Sequence, residues 1–197
     1  MRTRLVCMVI VCLLALPLCS HAEEPPSLWN VVKLLQSKKF VDLTHTFGPG
    51  IPHWPGFDDE QLTILYYYDK GVGKKGSGFL AHEYRIQGQW GTHVDPPAHF
   101  VKGKRFLDEI SVKEMILPLV VIDVSAKARA NPDYQISMDD VRAWEKKYGP
   151  IPAHAFVAMR TDWSKKWPDA EKMRNADDKG IAHYPGWSKE VLKYLYE

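Results

Sequence analysis

The residues between positions 89 and 100 combine metal-binding side chains with residues that end strands. This segment reads QWGTHVDPPAHF. In an extended chain the side chains alternate between two faces, so Gln89, Gly91, His93 and Asp95 are predicted to share one face. A neutral imidazole and a carboxylate two residues apart can meet one divalent ion, and Gln89 offers an amide oxygen from the same side. The segment therefore predicts a metal site with His93, Asp95 and Gln89 as ligands.

His99 is predicted to move protons rather than to bind the metal. Pro96 and Pro97 cannot continue a central strand, so the chain must turn just after Asp95. That turn can bring His99 back toward the ion without making it a ligand. A histidine near metal-bound water is a natural proton acceptor and donor. The alternative interpretation is a strand in which His93 and Asp95 only bond to each other, with His99 on the surface.

A loop rich in proline and glycine carries aromatic side chains that suit a flat substrate. Residues 48–59 contain three prolines and three glycines, so they are predicted to form a loop. Trp54 and Phe57 in this loop are candidates for an aromatic substrate pocket, and His53 is a candidate to face the substrate. Trp90 is predicted to be a core residue, because it points away from His93 in a regular strand.

Helix and strand patterns alternate along the chain that must position these residues. Helical spacing or capping signals occur at about 28–37, at 138–148 and from Ser188 onward. Strand patterns cover 40–46, 61–68, 79–94, 119–124 and 155–159. A Gly/Lys-rich segment at 71–78 is predicted to be a loop. The pattern indicates a mixed, sheet-rich α/β or α+β protein with a single domain over residues 23–197.

The first 22 residues are predicted to be an export signal. A short basic start is followed by an apolar run from Leu5 to Leu18, and small residues precede a cleavage site after Ala22. The product is therefore expected to be periplasmic or secreted, and to have no membrane anchor after cleavage. The three cysteines of the chain all lie in this signal, so disulfides and thiolate chemistry are excluded from the mature protein.

The charge balance of the chain argues against nucleic acid as a partner. The whole chain carries a formal charge of +2, and the signal holds Arg2 and Arg4 but no acid, which leaves the mature chain near zero. A nucleic-acid-binding protein usually needs a basic surface.

The motif around His93 resembles that of the metal-dependent cyclase-type hydrolases, a family that includes bacterial kynurenine formamidase and isatin hydrolase. Their motif is H-x-G-T-H-x-D-x-P-x-H, and every motif position matches here except the first, where Gln89 replaces a histidine. Further similar stretches are Val41-Asp42-Leu43, Pro52-His53-Trp54-Pro55-Gly56, Arg160-Thr161-Asp162-Trp163 and Tyr184-Pro185-Gly186-Trp187-Ser188. The resemblance covers nearly all of residues 23–197.

The resemblance implies a role for each matched residue. His93 and Asp95 are implied as metal ligands, His99 as the general acid and base, and Trp54 as a lining of the substrate pocket. The implied cofactor is a divalent metal, Mn or Zn, and Gln89 in place of a histidine is expected to shift the preference from Zn toward Mn or Mg. The implied substrate is an aryl formamide or a cyclic amide such as isatin, and the family commonly forms homo-oligomers.

The end of the sequence differs from the family pattern. Family members continue past the helix that starts near Ser188 and supply a further histidine and a carboxylate or amide to the metal. His183 precedes Pro185 and Gly186 and does not match that position. The chain is therefore expected to correspond to the front part of such an enzyme. An exported relative that binds a metal or a small aromatic ligand without catalysis is the alternative function.

Overall fold

Residues 27–69 and 78–197 are described by the computed structural model. The predicted signal peptide and all but the last residue of the predicted loop at 71–78 lie outside the described residues. The chain divides into two units, Met1–Leu43 and Thr44–Glu197. The site residues predicted above all belong to the second unit.

In the first unit the described part contains helix α1, Leu28–Gln36. Ser27 caps it, because the Ser27 hydroxyl accepts a hydrogen bond from the Asn30 N–H at 3.3 Å. This agrees with the helix predicted at 28–37. The strand predicted at 40–46 is wrong, since residues 38–49 form neither helix nor strand. The backbone of this segment pairs with no other strand among the described residues, although its apolar side chains alternate as in a strand.

The second unit begins its regular structure with an antiparallel pair of strands. Strand β1, Gln61–Tyr66, pairs with β2, Ala81–Arg85, and Leu62 lies opposite Tyr84. The strand predicted at 61–68 is thus confirmed apart from its end. The strand predicted at 79–94 is too long, because the ladder ends where Gln61 pairs with Arg85. His93 and Asp95 consequently lie in a loop and not in a strand.

The remaining elements alternate between strand and helix. They are β3 Leu119–Asp123, α2 Ser125–Ala130, β4 Gln135–Ile136, α3 Met138–Tyr148, β5 Phe156–Arg160, α4 Ala170–Arg174, β6 Gly186–Trp187 and α5 Lys189–Tyr196. β3 pairs with β5 and β4 with β6, both in parallel. The mixed α/β class predicted from the sequence is confirmed. No helix in the described part of the chain is long and apolar enough to cross a membrane.

The apolar core of the second unit lies where α3 and α5 meet β3. Val120 and Ile122 of β3 are buried, whereas Leu119 and Val121 face outward. The buried cluster is made of Val120, Ile122, Val124, Ile136, Met138, Val141 and Val191. The Tyr194 hydroxyl also donates a hydrogen bond of 2.9 Å to the Glu145 carboxylate, which ties α5 to α3. This core fixes the carboxyl ends of β3 and β5.

Asp140 caps the start of α3, and its carboxylate is expected to make the free energy of unfolding fall at acidic pH. Its side chain is 7% exposed and accepts hydrogen bonds from the Ser137 N–H at 2.9 Å and the Tyr134 hydroxyl at 2.6 Å, and it pairs with Lys127. Burial alone raises the pKa of Asp140, but the donors from Lys127, Tyr134 and Ser137 outweigh it and lower the pKa to about 2. Because the pKa is lowered, the stabilisation is present above the ordinary aspartate pKa and is lost as the pH falls toward 2.

We expect Asp140→Asn to lower the free energy of unfolding by about 2 kcal/mol at pH 7. Between about pH 4 and pH 2 the free energy of unfolding should also fall less in the variant than in wild type, because the carboxylate that titrates in this range is absent. Urea unfolding at several pH values measures both effects. Asp139→Asn is the matched control, because Asp139 is exposed on the same turn. Equal stability of the two variants would contradict the prediction.

Candidate active site

A loop between β2 and the Pro96-Pro97 pair carries most of the candidate site. It turns at Gly91, whose φ of +65° lies in the left-handed region. A Cβ atom added at Gly91 would lie 2.9 Å from Cδ2 of Phe47, so a side chain would also collide with the neighbouring ring. Glycine is therefore required for both the backbone conformation and the close approach of Phe47.

Trp90 and Thr92 hold this loop against neighbouring segments. Trp90 is 4% exposed, stacks on the His53 ring at 4.4 Å between centroids and meets the edge of Phe47 at 6.4 Å. The Thr92 hydroxyl accepts a hydrogen bond of 3.3 Å from the backbone N–H of His45. The prediction that Trp90 is a core residue is confirmed. With Trp90 buried and Thr92 bonded to the His45 backbone, Gly91 between them faces a cavity.

All seven predicted site residues line that one cavity, which has a volume of about 780 Å³. The set is Gln89, His93, Asp95, His99, His53, Trp54 and Phe57. The common face predicted for Gln89, Gly91, His93 and Asp95 is thus present, although a turn and not a strand produces it. The structure brings these residues together, and their chemical roles remain predictions.

Two hydrogen-bond acceptors, His93 Nε2 and an Asp95 carboxylate oxygen, face each other. His93 Nδ1 lies 2.9 Å from the carbonyl oxygen of Gly91, which can only accept, so Nδ1 carries the hydrogen. In the neutral ring the lone pair is then on Nε2, which lies 3.5 Å from Asp95 Oδ1. Each side chain keeps about a third of its surface exposed, 32% and 38%. Two acceptors that converge in this way suit a cation bound between them.

The chemistry of the donor set fits a divalent ion that accepts oxygen ligands. His93 supplies an imidazole nitrogen, Asp95 a carboxylate and Gln89 an amide oxygen at the same cavity wall. Among residues 27–69 and 78–197 there is no group of three or more His, Cys, Asp or Glu side chains placed to hold a metal. Two such ligands and an amide, with water, suit Mn or Mg better than a tetrahedral Zn site built of His and Cys.

His99 reaches the cavity through the turn predicted after Asp95. Residues Pro97–His99 form a 3-10 helix, and the His99 N–H donates to the Pro96 carbonyl oxygen at 2.9 Å. His99 Nδ1 lies 3.5 Å from the amide nitrogen of Gln89. Among the described residues Nε2 of His99 has no hydrogen-bond partner. This nitrogen is therefore available to exchange a proton with a bound molecule.

The loop at 48–59 contributes aromatic surface to the cavity. Trp54 and Phe57 meet edge to face with 5.2 Å between ring centroids. Both ring nitrogens of His53 contact protein acceptors, with Nδ1 2.9 Å from the Trp54 carbonyl oxygen and Nε2 3.1 Å from Asp59 Oδ1. His53 thus holds the loop in place and leaves Trp54 and Phe57 to contact a ligand.

The same cavity is also lined by six residues for which the sequence predicted no role. They are Phe100, Trp163, Ala170, Met173, Arg174 and Tyr184. Trp163 Nε1 donates a hydrogen bond of 2.9 Å to the Met173 carbonyl oxygen, and the Tyr184 ring meets Trp163 at 5.8 Å. Trp163 and Tyr184 stand in stretches that match the family motif and could have been found from it. Met173 and Arg174 belong to α4, which carries no motif.

His183, next to Tyr184 in the sequence, pairs with two acidic side chains. His183 Nδ1 donates to Asp133 Oδ2 at 2.8 Å, and Nε2 lies 3.7 Å from Asp177 Oδ2. The hydrogen bond to Asp133 raises the pKa of His183 above its ordinary value. Because the pKa is raised, the contact is complete below the ordinary histidine pKa and weakens as the pH rises through the raised value. The contact of His183 with Asp133 is thus strongest below the ordinary histidine pKa.

Comparison with known proteins places the chain among relatives of one kind. The model of the Cyclase family, described as "Putative cyclase", matches residues 41–197. Isatin hydrolase of Roseibium aggregatum is 34% identical over an alignment of 172 residues, and the match covers 83% of this chain and 65% of that protein. The chain therefore spans just under two thirds of the length of this curated relative.

Solved structures of similar proteins share the fold. Isatin hydrolase A from Ralstonia solanacearum is 32% identical with a TM-score of 0.76, and the match covers 88% of this chain and 69% of that one. Isatin hydrolase A from Labrenzia aggregata, bound to benzyl benzoate, is 33% identical with a TM-score of 0.76, and the match covers 87% of this chain and 69% of that one. An isatin hydrolase bound to the product analogue thioisatinate has a TM-score of 0.73 at 31% identity and covers 85% and 67%.

Proposed function

The chain belongs to the Cyclase family, and from this membership we propose that it is a metal-dependent hydrolase of cyclic aromatic amides of the isatin type. The convergence of His93 Nε2, Asp95 and His99 on one cavity with aromatic walls carries the proposal. The similarity to isatin hydrolases supports the choice of substrate class. Aryl formamides share the aromatic ring and the amide and are the second substrate class to test.

The metal site of the proposal consists of His93, Asp95 and Gln89. A divalent ion bound there would supply a water of lowered pKa and would polarise the amide carbonyl. Gly91 fixes the His93 tautomer through its carbonyl oxygen, which keeps Nε2 free for the ion. The long contact with Gln89 limits where the His99 ring can go.

His99 and the aromatic walls perform the remaining steps. His99 Nε2 takes a proton from the attacking water and later gives a proton to the leaving nitrogen. The C–N bond of the amide breaks, the carbonyl carbon becomes a carboxylic acid, and the nitrogen becomes an aromatic amine. Trp54, Phe57 and Trp163 offer ring surfaces that orient the flat substrate.

Turnover of isatin by the purified protein tests this function. We expect ring opening, followed as the loss of isatin absorbance, when Mn²⁺ is present and none in excess EDTA. Formanilide and an aliphatic amide of similar size serve as competing substrates. Activity on isatin above that on formanilide supports the cyclic amide, and the reverse order favours the aryl formamide. No turnover of either aromatic amide with Mn²⁺ or Zn²⁺ would contradict the proposed function.

A further inference from the structure

Arg174 is a cationic side chain in the wall of an otherwise mainly apolar cavity. It is the last residue of α4, and it lines the cavity together with Trp163, Met173 and Tyr184. Asn175 follows with a left-handed φ of 47° and its side-chain N–H donates to the His183 carbonyl oxygen at 3.0 Å. This turn ends the helix at Arg174 and joins it to the segment that carries Tyr184.

The cations around Arg174 already have partners in the protein. Lys172 pairs with Asp169 at 2.8 Å, and Lys165 pairs with Asp162 at 2.6 Å. Lys166 lies 3.2 Å from the centre of the Trp163 ring and donates to the side chain of Asn175. The Arg174 side chain, in contrast, makes no hydrogen bond or ion pair within residues 27–69 and 78–197. It remains available to a ligand.

Two acids that could pair with Arg174 have other partners. Among the described residues that line the cavity, Asp95 is the only carboxylate, and it faces His93 Nε2. Asp177 binds the backbone N–H groups of Lys179 and Ile181. An unpaired guanidinium beside aromatic rings has five donors in a plane, which is the arrangement that binds a carboxylate through two parallel hydrogen bonds.

We propose that Arg174 is a specificity residue that binds the carboxylate of an aromatic acid in this cavity. The inference rests on the proposed function, because hydrolysis of a ring amide turns a neutral substrate into such an acid. Water adds to the carbonyl carbon, the C–N bond breaks with its electron pair on nitrogen, nitrogen gains a proton and the acid loses one at neutral pH. Arg174 then distinguishes the ring-opened anion from the neutral cyclic amide.

Equilibrium binding of two matched ligands tests the inference. The ligands are isatin, which is neutral, and 2-aminophenylglyoxylate, its ring-opened acid. Each is titrated by calorimetry into proteins with Arg174 and with Arg174→Gln, all carrying His99→Ala so that isatin is not turned over during the titration. We expect the substitution to weaken binding of the acid by about tenfold to a hundredfold, the range for a lost hydrogen bond to a charged group. Isatin should bind both proteins within about twofold, which also shows that the variant is folded.

Two further variants sharpen the result. Arg174→Lys keeps the charge but loses the planar pair of donors, so its affinity for the acid should lie between those of the proteins with Arg174 and with Arg174→Gln. Arg142→Gln makes the same charge change on the exposed surface of α3, away from the cavity, and should leave both affinities unchanged. The inference is overturned if Arg174→Gln leaves binding of the acid intact, weakens both ligands equally, or is matched by Arg142→Gln. Protein with Arg174 that binds neither ligand overturns the proposed function itself, and the role of Arg174 with it.

Discussion

Replacement of His99 by alanine is expected to lower kcat/KM for isatin by about 100- to 10,000-fold, the usual contribution of a positioned general acid and base. The metal content and the affinity for isatin should stay near those of wild type, because His99 is not among the proposed ligands. Steady-state kinetics at saturating Mn²⁺, together with metal analysis of the same samples, measure both quantities.

The position of His99 gives this prediction its physical basis. Its 3-10 turn aims the ring into the cavity that holds His93 and Asp95, and its Nε2 has no other partner in the described part of the chain. His82→Ala is the control, because His82 stands on β2 and does not line the cavity. If His99→Ala retained full kcat/KM, or if it lost its metal, the role of a proton carrier would be wrong.

The sequence predicted the composition of the site better than its backbone. Gln89, His93 and Asp95 share a face as the two-residue spacing indicated, yet the segment is not a strand. The turn at Gly91 and the inward anchor of Trp90 produce the same facing. The spacing of residues predicts which side chains face the same way. The length of a strand also depends on how far its partner extends, and the pairing of β1 with β2 ends at Gln61.

Helices that carry their own end signals were predicted closely. Ser137 and Gly149 bracket α3, which runs from Met138 to Tyr148 as predicted, because capping is a local property of the chain. The lining of the cavity by Met173 and Arg174 was not predicted, since both residues reach the cavity only through the tertiary placement of α4. Contacts between segments that are distant in sequence leave no local pattern from which they could be predicted.

Loss of the Asp95 carboxylate is expected to have the second large effect. Asp95→Ala should weaken Mn²⁺ binding by more than about 100-fold. Mutation of a residue that only hydrogen-bonds to a metal ligand already lowers metal affinity about 10- to 100-fold, and Asp95 is a proposed ligand itself. Turnover of isatin should fall with the metal. Mass spectrometry of the dialysed protein gives the metal retained per chain, and titration with Mn²⁺ gives the affinity. Asp108→Ala removes an exposed carboxylate from the 3-10 turn Leu107–Glu109 and is the matched control.

The same titration distinguishes a metal site from a simple His–Asp pair. If His93 and Asp95 only bonded to each other, Asp95→Ala and Asp108→Ala would retain equal metal. Gln89→His should have the opposite effect on affinity. An imidazole in place of the amide oxygen is expected to tighten metal binding and to move the preference from Mn²⁺ toward Zn²⁺. A gain in affinity at position 89 together with a loss at position 95 requires that both side chains reach one ion. That pattern would identify the part of the cavity that carries His93 as a working metal site.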